Sequence, residues 1–135
     1  MREAFDTSRI TAGELLNVTL SDVAPDTILC VVIGEIDLLT GPALQEKLTD
    51  ATNVVPSHLV IDLSAVQFLA SSGLNILLEI LTAQEATGHH VALVVNNNRV
   101  VTRALEVTAL DQVFDVHAEL ATAVTACRTS TGLGG

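Results

Sequence analysis

The chain has 135 residues, room for one domain of ordinary size and no second, and with 49% hydrophobic residues, 16% charged and a mean hydropathy of +0.51 it can bury a sizeable core, which excludes disorder throughout. Six Lys+Arg against 16 Asp+Glu leave a net charge of −10, which repels nucleic-acid backbones and anionic lipid at long range, so neither nucleic acid nor a membrane is an expected partner. Aromatic residues make up 2% of the chain, with no Trp or Tyr, so base-stacking platforms have almost no material.

Residues 1–15 are mixed and weakly patterned, and 1–17 read as an N-terminal extension. Residues 1–6 are acidic early and lack an apolar h-region, which argues against a secretory signal and for the cytoplasm. Residues 18–23 alternate apolar with polar, as a half-exposed strand does, and Pro25-Asp26 reads as a turn. Residues 28–33 form a β-branched run, the pattern of a strand covered on both faces, and the run is far too short to cross a bilayer. The two strands make a hairpin, and Gly34 is expected to end it.

Thr40 is placed to cap a helix with Pro42 in its first turn and Leu44, Leu48 and Ala51 on one face; Pro56 closes that region. Residues 59–63 are the third strand, followed by a connecting stretch from Ser64 to Ala70. A helix then opens at Ser71-Ser72-Gly73, with Leu74, Leu77, Leu78 and Leu81 at i, i+3, i+4 and i+7 and Gly88 just past its end. Residues 91–95 are a buried-type strand. Asn96, Asn97 and Asn98 supply a turn and an N-cap for a helix that groups Val101, Ala104 and Leu105 on one side. Residues 113–116 read as a short edge strand, and Leu120, Ala121 and Val124 mark a last short helix. Residues 129–135, rich in Ser, Thr and Gly, read as a disordered tail. The expected domain spans 18–128. Its class is α/β, with four to five strands in a mixed, mainly parallel sheet and about four helices.

In such sheets the functional crevice lies outside the carboxyl ends of the parallel strands. Two loops fall there, one from Gly34 to Thr40 and one from Asp62 to Leu74. A serine at a helix start has a plain structural use, because its hydroxyl accepts an otherwise unpaired N–H. The functional alternative is that Ser71 or Ser72 accepts a phosphoryl group, and spacing alone does not separate the two. Asp62 is either a carboxylate of interest or the acceptor of a neighbouring turn. His89 and His90 point apart and read as solvated turn residues rather than metal ligands. Arg99 and Arg103, four apart on one helix, are either a solvated face or a contact for an acidic partner. Cys30 and Cys127 have no metal spacing, and Cys30 reads as a reduced core residue. No Gly-x-Ser-x-Gly elbow and no phosphate loop with Lys is present, so the chain does not read as an enzyme, and no metal or cofactor is expected.

Taken in order, Gly34-Glu35-Ile36-Asp37, then Asp62 through Phe68-Leu69-Ala70-Ser71-Ser72-Gly73-Leu74, then Gly88 before a hydrophobic strand, resembles the STAS family of anti-sigma factor antagonists over roughly residues 18–126. The resemblance implies a sheet with its helices mainly on one face. It also implies a serine, by position Ser71 with Ser72 as second choice, whose phosphorylation abolishes binding to an anti-sigma factor, often itself a serine kinase. The implied binding surface comprises Asp37, Leu39, Thr40, Ala70, Ser71, Ser72, Gly73, Leu74 and Asn75. Two positions depart from the family pattern: Ala70 stands where Asp is usual and Asn75 where Gly is common. Ala70 leaves open a second reading, a non-phosphorylated binding module or small-ligand sensor of the same fold.

Overall fold

The structure is a computed structural model that describes residues 15–134; most of the expected N-terminal extension, including residues 1–6, lies outside the described residues. Strand β1 (Leu16–Ala24) and β2 (Thr27–Ile36) form the expected hairpin, followed by α1 (Gly41–Val54), β3 (His58–Leu69), α2 (Ser71–Ala86), β4 (Val91–Val94) and α3 (Arg99–Val107). A single 3₁₀ turn (Leu110–Gln112), β5 (Asp115–His117) and α4 (Leu120–Gly134) complete the described chain. The five strands lie in sequence order, β1-β2-β3-β4-β5. Only the β1–β2 pairing is antiparallel, and each later pair is parallel.

The main core fills the space between one sheet face and three helices. Leu44 and Leu48 of α1, Leu74, Leu77 and Leu81 of α2, and Val101 and Leu105 of α3 meet Cys30, Val32, Leu59, Ile61, Leu63 and Leu93 there. Alternate residues of the same strands, Val60, Ala92 and Val94, turn to the opposite face, where Ala123 and Cys127 of α4 cover them. This double cover explains why β4 is buried at every position. Burial also explains the cysteines: both are buried, and desolvation pushes each thiol up to about 12, the form of an inert core residue.

Four local expectations need correction. β2 is fully covered on one face only, since its outer face carries half-buried Val31 and exposed Ile33. Gly34 does not end β2; it sits inside the strand at φ +116, where an added Cβ would overlap the Leu15 carbonyl, and pairing with β3 resumes after an irregularity. The stretch from Ser64 to Leu69 is strand, not connection. Beyond Asp62, β3 loses its β4 partner and pairs with β2 alone. The Asn98 carboxamide replaces the lost ladder, its Nδ2 lying 3.0 Å from the Leu63 carbonyl, 3.1 Å from that of Ser64 and 2.8 Å from that of Val66. Finally, Thr40 stands at the N-cap position of α1, yet its side chain makes no cap bond.

The termini differ from the expected bounds as well. β1 begins at Leu16, two residues before the expected start at 18, and α4 runs to Gly134 across the expected break at 128, carried outward from its anchors Ala123 and Cys127.

Candidate functional site

Both expected loops converge at the carboxyl ends of β2 and β3, where the backbone of Ile36 joins them: its carbonyl accepts the Ala70 N–H at 3.0 Å. The same carbonyl explains Gly73. A Cβ at residue 73 would come within 2.5 Å of the Ile36 oxygen and 2.8 Å of its Cγ2. Only glycine lets the first turn of α2 press against the end of β2.

Asp37 organises the facing loop. One carboxylate oxygen, Oδ1, accepts the Leu39 and Thr40 N–H groups, both at 3.0 Å. Thr40 is fully buried; its Oγ1 accepts the Asp37 N–H at 3.0 Å and donates to the Glu35 carbonyl at 2.6 Å. Thr40 therefore braces the Asx turn set by Asp37 instead of capping α1 with its side chain, and the donors that Asp37 satisfies lie in the turn before the helix.

Residue Ala70, in extended backbone at φ −83 and ψ 167, is the N-cap of α2, and no side chain caps that helix. Neither serine has the plain capping use. Ser71 is exposed and Ser72 half-buried, while Gly73 and Leu74 lie beneath them and Asn75 is exposed, its Nδ2 donating to Glu79 Oε2 at 3.3 Å. Of the residues expected at the binding surface, Asp37, Leu39, Ala70, Ser71, Ser72 and Asn75 reach solvent to some degree. Thr40, Gly73 and Leu74 shape that surface from below, since packing has taken their side-chain positions.

The surroundings of Ser71 are apolar to an unusual extent. On one side a depression of about 550 Å³ is lined by Asp37, Leu38, Leu39, Ala70 and Ser72. On the other, a cleft of about 470 Å³ runs between the end of β3 and α3, with Phe68, Leu74, Val100 and Val107 in its walls. Leu38 is 81% exposed, Leu39 54%, Phe68 50%, Val100 43% and Val107 78%. Large apolar side chains left open together in this way make this patch a candidate docking surface. Sequence reading missed Leu38, Phe68, Val100 and Val107 as surface residues. The available signal was a second apolar stripe on α3, since Val100 and Val107 are seven apart and stand off the Val101–Leu105 core face.

Asp62, His89 and His90 have structural partners. Asp62, half-buried in mid-strand, accepts from the Ser64 N–H at 2.9 Å and the Ser64 hydroxyl at 2.6 Å, the turn-acceptor alternative. His89 and His90 are more than solvated turn residues: His90 Nε2 pairs with Asp115 Oδ2 at 2.7 Å, and His89 packs edge-on against His58 at 5.3 Å between ring centroids. Among the described residues no group of His, Cys, Asp and Glu has the geometry to hold a metal ion, and no helix is long and apolar enough to cross a membrane.

Comparison with known proteins bears directly on this geometry. Residues 20–123 match the STAS domain family. The chain is 37% identical over 120 residues, 88% of this chain and 95% of the relative, to the anti-sigma-F factor antagonist RsfB of Mycobacterium tuberculosis. Among solved structures it is similar to an anti-sigma factor antagonist from Mycobacterium paratuberculosis, with a TM-score of 0.67 at 34% identity over 84% of this chain and 94% of the other. The unphosphorylated form of the anti-sigma factor antagonist SpoIIAA superposes with a TM-score of 0.70 over 84% of this chain and 97% of the other, and at 18% identity it speaks for the fold alone. The chain, with its mixed five-stranded sheet and its serine-bearing helix start, belongs to the STAS domain family.

Proposed function

We propose that the protein is an anti-sigma factor antagonist: unmodified, it binds an anti-sigma factor and so frees a sigma factor, and phosphorylation of Ser71 ends the binding. The observation that carries this reading is the placement of Ser71, exposed at the start of α2 between two open apolar surfaces. The M. tuberculosis relative, an anti-sigma-F factor antagonist by name, supports the partner class. The reading makes the protein a binding module rather than an enzyme and puts its work in the cytoplasm, beside the transcription machinery.

The modifying step needs a kinase, in this reading the anti-sigma factor itself. The Ser71 Oγ attacks the γ-phosphorus of ATP, an O–P bond forms, the bond from that phosphorus to the β,γ-bridging oxygen breaks, ADP leaves, and the hydroxyl proton passes to a base on the kinase. The product carries about −2 charge in a patch that must be desolvated by the partner. At a separation of ~5 Å and an effective dielectric of ~20, each unit pair of like charges costs about 3 kcal/mol. After screening, roughly 2–4 kcal/mol remains, which weakens binding about 30- to 700-fold.

The test is intact mass after incubation with ATP and the anti-sigma-F factor of M. tuberculosis. One added phosphate on the wild type and none on Ser71→Ala supports the reading. Modification that survives Ser71→Ala moves the site to Ser72 or elsewhere. A chain that binds the factor yet takes up no phosphate supports instead the second reading, a non-phosphorylated binding module, which the missing carboxylate at Ala70 favours.

A further inference from the structure

Ser71 shares its cleft with one charged side chain. The walls of the cleft are Phe68, Leu69, Leu74, Val100, Ala104 and Val107, all apolar, with Thr108 at one end; among the described residues lining it, Arg103 alone carries a charge. On α3 the residues Val100, Arg103, Ala104 and Val107 follow at i, i+3, i+4 and i+7, so the guanidinium stands in the same helical stripe as the open valines. Arg103 is exposed and forms no ion pair among the described residues. In a chain with six basic residues against 16 acidic ones, a cation facing the serine across an otherwise uncharged cleft is unexplained by packing.

We propose that Arg103 binds the phosphate once Ser71 is esterified, so that the phosphoserine and the guanidinium bridge the cleft between α2 and α3. This deepens the function proposed above and rests on its assignment of Ser71. The planar guanidinium presents paired N–H donors that match two phosphate oxygens, a geometry a lysine ammonium reproduces only as a point charge. With Ala at position 70 there is no carboxylate next to the serine to repel the phosphate or to compete for Arg103. The bridge has two consequences for a partner. It withdraws a cation that the unmodified surface offers to an acidic side chain, and it closes the apolar cleft in which partner side chains would be buried. Switching then works by occupation of the surface as well as by repulsion.

The experiment installs phosphoserine at position 71 during translation, by genetic code expansion, so that no kinase is needed. The second ionisation of the phosphate, ordinarily near pH 6, is followed by ³¹P NMR in the otherwise wild-type protein and in R103A, R103K and R99A. A cation in contact with the phosphate favours its dianion, so R103A raises the midpoint by about half a pH unit or more. R103K recovers part of that shift, and R99A, one helical turn away and outside the cleft, leaves the midpoint in place. Arg103 is exposed, so R103A is expected to keep the wild-type melting temperature, which is measured alongside. An R103A midpoint equal to that of the parent overturns the proposal, as does an equal shift in R99A, which would indicate the general field of α3. Failure of a kinase to modify Ser71 would count against the function proposed above and leave this titration unaffected.

Discussion

The two ends of the sheet treat their polar and apolar groups in opposite ways. At the carboxyl ends of β2 and β3 the backbone is tied down by Asp37, Thr40, Asn98 and Gly73, and what it supports is an open patch of Leu38, Leu39, Phe68, Val100 and Val107 around the Ser71 hydroxyl. At the amino ends the polar groups close on one another. All four histidines gather there and around β5: the His58 ring accepts the His90 N–H at 2.8 Å and lies 3.7 Å from Asp26, and Asp115 holds His90 at 2.7 Å. His117 Nε2 lies 2.9 Å from the other Asp115 oxygen, in ion-pair contact rather than an aligned hydrogen bond. Gln84 adds a bond of 2.6 Å to the Ser57 carbonyl. One end thus holds an open apolar surface on a hydrogen-bonded frame, whereas the other pairs most of its polar groups with one another, the buried His117 Nε2 being the exception. The contrast teaches that ionisable residues alone are a poor guide to the working end of this fold.

Variants at the two ends separate stability from partner control. Asn98→Ala has the largest expected effect, because it removes the cap on the Val100 N–H and leaves the Leu63, Ser64 and Val66 carbonyls without their donor. The loss is about 3 kcal/mol in urea denaturation, and a loss below about 1 kcal/mol would mean that β3 holds its extension unaided. Gly73→Ala follows at about 1–3 kcal/mol, since its Cβ must displace the Ile36 carbonyl. It is expected also to slow phosphate uptake at Ser71, measured by intact mass over time. Asp37→Ala leaves the Leu39 and Thr40 N–H groups without their acceptor. That variant costs about 1–2 kcal/mol and weakens partner binding through a loosened Leu38-Leu39 loop.

Acidification probes the other end. Burial pushes the Asp115 carboxyl up, yet its contacts with His90 and His117 outweigh that and hold it below the usual 3.8. Its contribution is therefore present above 3.8 and is lost as the pH falls through the lowered value. Burial lowers His58 from 6.5, against the pull of Asp26 and with the repulsion of His89 and His90, so the folded state prefers the neutral ring. Stability from His58 is complete above 6.5 and declines as the pH falls toward its lowered value. Melting temperature is expected to drop between pH 7 and 5.5, and His58→Gln to lessen the drop, with binding to the anti-sigma factor at pH 7 unchanged. A loss of binding in His58→Gln would break the division between the two ends.

Much of this organisation is legible in the residues. The β-branched runs, the 3.6-residue spacing of Leu74, Leu77 and Leu81, and the Asn96–Asn98 turn, whose first two residues take positive φ, carry the element order directly. The extension of β3 was hidden for a physical reason: Ser64 and Ala65 interrupt the apolar run, the next inward residues, Val66 and Leu69, are three apart and off the strand period, and a side chain 32 or more positions away completes the hydrogen bonding. Thr40 misled because its hydroxyl found the Glu35 carbonyl before any helix N–H. The Ser71 position emerges from motif order, but its apolar rim does not. Exposure of Leu38 or Val107 depends on what the fold leaves uncovered, which no local period records.

The most direct test of the central claim measures affinity for the M. tuberculosis anti-sigma-F factor by titration calorimetry, with the unmodified chain and with the chain carrying phosphoserine at 71. The unmodified form is expected to bind, and the phosphorylated one to bind at least about 30-fold more weakly. Equal affinity of the two forms, or no binding by either, would contradict the claim.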